Sequence, residues 1–162
     1  MRRKDREIKD IDEIVRVLER CQTIRIGISS EPVPYVVPVS FGIDPSQKMP
    51  TVYFHCARQG HKIELLGEKK DVFVEADTCY KVEKAAGGVT TRYESVMGTG
   101  FCERVTEPDE ILKGLNLILS HYDVNDFPPD RCKGLQNLYV YRIRMAEVTG
   151  KHNLPIPNGL SE

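Results

Sequence analysis

The segment Tyr53-Phe-His-Cys-Ala-Arg-Gln-Gly-His-Lys62 constrains this chain more than any other. Residues 51–57 read as an apolar strand that delivers a histidine, and a short turn through Gly60 leads into a helix running to about Gly67. Strand alternation puts Tyr53, His55 and Ala57 on one face and Phe54 and Cys56 on the other. Lys62 falls in the first helical turn, where unpaired backbone N–H groups and the helix dipole favour an anion. A strand end, a glycine and a cation in that order can hold a phosphate. Lys62, together with His61 when protonated, would neutralise it.

The rest of the chain predicts a mainly β fold with peripheral helices. Asp10 and Glu13 have capping-box spacing, and Ile11, Ile14, Val15, Leu18 and Cys21 recur at helical intervals. Strands are expected over residues 23–29, 35–42, 51–57, 72–77, 90–105 and 138–148, with an exposed loop over 80–89. Pro38 inside its strand cannot donate to a ladder, so it marks an edge, a bulge or a stretch facing a ligand. Thr106 is the expected cap of a helix whose stripe is Ile111, Leu112, Leu115, Ile118, Leu119 and Tyr122. Residues 123–136 read as a loop, and the tail from Thr149 as polar and rich in Pro and Gly. Strands do not alternate regularly with helices, which disfavours a doubly wound parallel sheet and favours an antiparallel barrel. No repeat or linker interrupts the 162 residues, so a single domain over 1–162 is expected.

Net charge is −1, which gives no reason to expect a nucleic-acid partner. The five cysteines are odd in number and form no C-x-x-C pair, which points to reduced thiols and no metal. The charged N-terminus is not followed by an apolar stretch and no 18-residue apolar run occurs, so a cytoplasmic protein without a membrane span is expected. P-loop, Rossmann and nucleophile-elbow motifs are all missing from the sequence.

Three constellations suit a flavin. The strand Pro38-Val39-Ser40-Phe41 can offer main-chain atoms and the Ser40 hydroxyl to the polar edge of an isoalloxazine, or it can be a buried strand with a proline bulge. The Tyr53–Lys62 segment supplies the phosphate end, although a lone strand histidine such as His55 is often structural. In Ser95-Val96-Met97-Gly98-Thr99-Gly100, the two glycines share a face and let a flat ring, or another backbone, come close.

In this order the segments resemble the pyridoxamine 5'-phosphate oxidase-like flavin-binding split-barrel superfamily, and within it the nitroimidazole-resistance (Nim) branch. Val37-Pro-Val-Ser-Phe-Gly42, Tyr53-Phe-His-Cys-Ala57 with Gly60-His-Lys62, Tyr93-Glu-Ser-Val-Met-Gly98, and Tyr141-Arg-Ile with Thr149-Gly-Lys151 carry the resemblance. It implies a six-stranded antiparallel Greek-key split β-barrel, forming a homodimer with FMN, alternatively FAD, at the interface. It places His55, Cys56 and Ala57 beside the flavin, Gly60, His61 and Lys62 at its phosphate, and Pro38 to Phe41 along the ring. Ser95, Val96 and Gly98 would approach the ring, and His55 matches the histidine at the reaction centre of the resistance proteins. Glu94 departs from the basic or neutral residue expected before Ser95. The activity implied is reduction of a nitro group using a small-molecule electron donor. The alternative is a flavin- or haem-binding barrel with a sensing or storage role.

Overall fold

A computed structural model of the protein describes residues 2–85 and 87–154, apart from the Cys79 side chain. Eight strands form one antiparallel sheet, in the order β3-β2-β6-β7-β8-β5-β4, with β1 paired to β8. The sheet wraps a core to which β2 (Ile24–Ile28), β3 (Tyr35–Val39), β4 (Gly42–Asp44) and β5 (Thr51–Ala57) all contribute. β6 (Lys69–Ala85), β7 (Gly88–Arg104) and β8 (Leu138–His152) complete it, and β1 (Glu7–Ile8) adds a short edge. Strand alternation fixes which face is inside: Ile24, Ile26 and Ile28 are buried on β2 while Arg25 is exposed.

The expected fold class holds, with eight strands in place of six. The expected strand over 35–42 breaks into β3 and β4, because Ser40 and Phe41 turn the chain at the open side of the sheet. β3 and β4 stand at the two ends of the ladder, so Pro38 sits on an edge strand where its missing N–H costs no ladder bond. The expected loop over 80–89 is instead a β6–β7 hairpin arm, paired from Lys81↔Arg92 to Ala85↔Gly88 after an irregularity between Thr78 and Lys81. β8 runs on to His152, and the part of the expected tail beyond residue 154 lies outside the described residues.

Three helices surround the sheet. α1 (Ile11–Arg20) is capped by the Asp10 carboxylate, which accepts from the Asp12 N–H at 3.0 Å, and it buries Ile14, Val15, Val17 and Leu18. α2 (His61–Leu66) follows β5 directly. α3 (Pro108–His121) is preceded by Glu107 at the N-cap, not by the expected Thr106, and Pro108 takes the first helical turn, where its missing N–H is harmless.

α3 lies on the outer face of β5 and β8, packing Leu115 and Ile118 against Tyr53 and Val140. The Tyr53 hydroxyl donates to Glu110 Oε1 at 3.0 Å, and Arg142 joins Glu110 to Glu103. At the other end the Tyr122 hydroxyl donates to the Gln22 carbonyl at 2.8 Å and accepts from the Phe41 N–H at 3.2 Å. Gly42 permits this close packing: a Cβ there would stand 2.3 Å from the Leu117 carbonyl carbon. Among the described residues no helix is long and apolar enough to cross a membrane.

Candidate functional site

The alternation expected for β5 is the one observed. Phe54 and Cys56 point into the core, where Phe54 stacks on Tyr141 with ring centroids 5.3 Å apart. Tyr53 and His55 point outward on the α3 side. His55 is open to solvent on one flank and walled on the other by Leu115, Ile118, Phe127, Pro129 and Leu138 around a small pocket of about 140 Å³. Those apolar walls lower the imidazole pKa below its ordinary value, and the charge of Lys62 lowers it further. His55 is therefore neutral at pH 7, with one ring nitrogen donating and the other accepting.

The first turn of α2 reaches from the edge strand β3 to β5, the strand next to the opposite edge. His61 meets Tyr35 of β3 edge-to-face, with ring centroids 5.1 Å apart, while Lys62 Nζ lies 5.9 Å from the Phe54 ring of β5. The Gly60 φ of 122° makes the turn from strand to helix, and no atom lies within 4 Å of where its Cβ would be. Ile63 and Glu64 donate their N–H groups to the Gly60 carbonyl, and no side chain caps the N–H groups ahead of them. At six residues α2 has little dipole to offer, so the charge of Lys62 dominates the local field. That field also acts on Cys56, opposing the burial that raises its thiol pKa. Among the described residues no carboxylate pairs with Lys62, whereas His61 Nδ1 stands 3.2 Å from Glu64. This donor set fits a phosphate.

The remaining expected site residues divide by burial. Pro38 and Ser40 are exposed on or just after β3, Ala57 is exposed on β5, and Ser95 is half-buried on β7. Val39, Phe41 and Val96 turn their side chains into the core, so only their backbones can reach a ligand. The Phe41 N–H is already taken by Tyr122. Of the two possibilities raised for Gly98, the second is realised: a Cβ there would lie 2.2 Å from the Glu147 carbonyl oxygen of β8, so a neighbouring backbone fills the space. Glu94 is buried and ion-paired to Arg20 of α1, a structural use for the residue that departs from the family pattern. Tyr35 is the contact that the sequence reading missed. Its only signal was an aromatic at the start of an edge strand. Among the described residues no cluster of His, Cys, Asp and Glu could hold a metal ion.

Solved structures with the same architecture exist. A candidate 5-nitroimidazole antibiotic resistance protein from Bacteroides thetaiotaomicron is 27% identical, with a TM-score of 0.76, covering 90% of this chain and 86% of that one. The flavocytochrome Anf3 from Azotobacter vinelandii is 18% identical with a TM-score of 0.75, over 100% of this chain and 75% of its own. A FAD- and heme-binding protein from Mycobacterium smegmatis is 12% identical with a TM-score of 0.72, over 96% and 77%. No curated protein sequence matches the chain. The family profile described as pyridoxamine 5'-phosphate oxidase matches residues 10–152, and with that span the chain belongs to the pyridoxamine 5'-phosphate oxidase-like split-barrel family.

Proposed function

We propose that this protein binds a flavin, FMN or FAD, and is a flavin-dependent oxidoreductase of the nitroreductase type. The observation that carries the proposal is the first turn of α2, which holds Lys62, without a carboxylate partner among the described residues, over the Phe54 ring while its charge reaches His55. Lys62 and the uncapped N–H groups of α2 would take the phosphate, and the edge strand β3 would lie along the ring.

A bound flavin supplies the acceptance and donation of electrons, with a small-molecule donor and acceptor at either end. The chain supplies position and polarity. His55 orients a substrate by donating from one ring nitrogen of its neutral form, and its lowered pKa makes it a weaker base that is protonated less often near neutral pH than an ordinary histidine. The resemblance to a resistance protein at 27% identity over most of both chains supports a nitro group as acceptor.

A homodimer with flavin at the interface completes the reading. Its support is an apolar groove of about 660 Å³ on the outer sheet face, with Gly27 and Phe73 in its lining and Phe73 47% exposed. The visible spectrum of the purified protein, before and after denaturation, tests the cofactor. A two-banded flavin spectrum with about one FMN or FAD released per chain is expected. A colourless protein that takes up no added flavin overturns the proposal, and a Soret band replaces it with a haem-binding barrel.

A further inference from the structure

A separate cavity of about 470 Å³ opens beside the N-terminal end of α3. Its lining includes none of the residues assigned to the flavin. Val105, Ile111, Leu112, Leu135 and Leu138 give it an apolar floor. Its charged wall is Arg58 and Arg104, whose guanidinium carbons stand 5.2 Å and 4.7 Å from the centroid of the Tyr139 ring.

Stacking on one aromatic ring holds both guanidinium groups in place without consuming their N–H donors. Arg58 uses Nε on the Leu138 carbonyl at 3.4 Å, and among the described residues no carboxylate pairs with it. Arg104 pairs with Glu68 at 2.7 Å, but Glu68 is 80% exposed, and a surface pair of this kind yields readily to a better anion. Among the described lining residues Asp130 is the one acidic group, and with Arg104 engaged by Glu68 outside the lining, Arg58 is the guanidinium left without a carboxylate partner. The volume lies within the range of small-molecule sites, roughly 300 to 1,000 Å³.

The geometry points to a binding site for an apolar monocarboxylate, its carboxylate bridging Arg58 and Arg104 and its aromatic or acyl body on the floor beneath α3. Planar guanidinium forks match a carboxylate with two parallel hydrogen bonds, and the hydrocarbon lining rejects a small hydrated anion. The site shares Leu138 with the His55 pocket but uses none of the residues assigned to the flavin.

Calorimetric titration of the purified protein with benzoate, and with benzyl alcohol as its uncharged counterpart, tests the assignment. Benzoate is expected to bind about tenfold or more tightly than benzyl alcohol, in line with charge-assisted pairing. Arg58→Gln, at an exposed position, should remove that preference. Leu112→Trp should fill the cavity and abolish benzoate binding. Flavin content per chain should stay unchanged in Leu112→Trp, which separates this site from the flavin site. No benzoate binding at 10 mM, equal affinity for the two probes, or undiminished binding in a folded Leu112→Trp protein would each overturn the assignment.

Discussion

Arg20 and Glu94 meet in a two-pronged ion pair, Nη2 to Oε1 at 2.6 Å and Nε to Oε2 at 3.0 Å, with Glu94 only 3% exposed. The pair ties the last turn of α1 to β7 near the base of the hairpin arm. Removing Arg20 leaves a buried carboxylate without its main counter-charge, whereas Glu94→Gln keeps a hydrogen-bonding group there. Arg20→Ala should lower unfolding free energy by about 2 kcal/mol, tempered by the half-exposed guanidinium, and Glu94→Gln should cost less. Urea denaturation of the two variants measures the difference. Equal, negligible losses would mean that the pair does not hold α1.

His55 sets a pH dependence with a definite sign. Its folded pKa lies below the ordinary value of 6.5, so protonation is harder in the folded state than in the unfolded chain. The stability it contributes is fully present above pH 6.5 and is lost as pH falls through the lowered folded pKa. His55→Gln should abolish this part of the acid sensitivity, so the two stability curves run parallel above pH 6.5 and the wild type falls relative to the variant as pH drops through the lowered pKa. In the flavin-loaded protein the same substitution should reduce turnover about tenfold or more and leave flavin content intact.

Lys62→Met tests the phosphate assignment by two independent readings. Flavin affinity should fall by about tenfold or more, the loss expected for a charge-assisted contact. Without flavin, the His55 imidazole should titrate at higher pH by proton NMR, because the Lys62 charge that opposes its protonation is gone. An unmoved titration would show that the two side chains are not coupled.

Gly98 and Gly60 should respond differently to alanine. At Gly98 the new Cβ would stand 2.2 Å from a β8 carbonyl and 2.7 Å from the Met145 methyl, forcing β7 and β8 apart. The expected cost is about 3 kcal/mol. At Gly60 there is open space, so only the strained φ of 122° is felt, at about 1 kcal/mol. Thermal unfolding midpoints of the two variants rank them.

The site was legible where periodicity and side-chain chemistry agreed. Both faces of β5 could be read from alternation, and the α1 cap from Asp10, because each depends on neighbours a few residues away. The β6–β7 arm was not legible. Lys81, Glu83, Lys84 and Gly87-Gly88 look like a loop, and only cross-strand pairing of exposed residues makes them a hairpin. Glu94 could not be placed because its partner lies 74 residues away. The stacking of Arg58 and Arg104 on Tyr139 joins three segments that no local pattern connects.

The pairing pattern also predicts an order of assembly. The β6–β7 ladder grows outward from Ala85↔Gly88 at a turn, so each new pair closes only a slightly larger loop. β5 pairs locally with β4, but meets β8 from Thr51↔Arg144 to Ala57↔Leu138 only by closing the long intervening segment 58–137. The strand bearing His55 is thus expected to join β8 late, so the proposed site is completed when the barrel closes. Pulsed hydrogen exchange during refolding should protect β6 and β7 amides before those β5 amides that pair with β8. Simultaneous protection would indicate that the hairpin cannot persist before the barrel surrounds it.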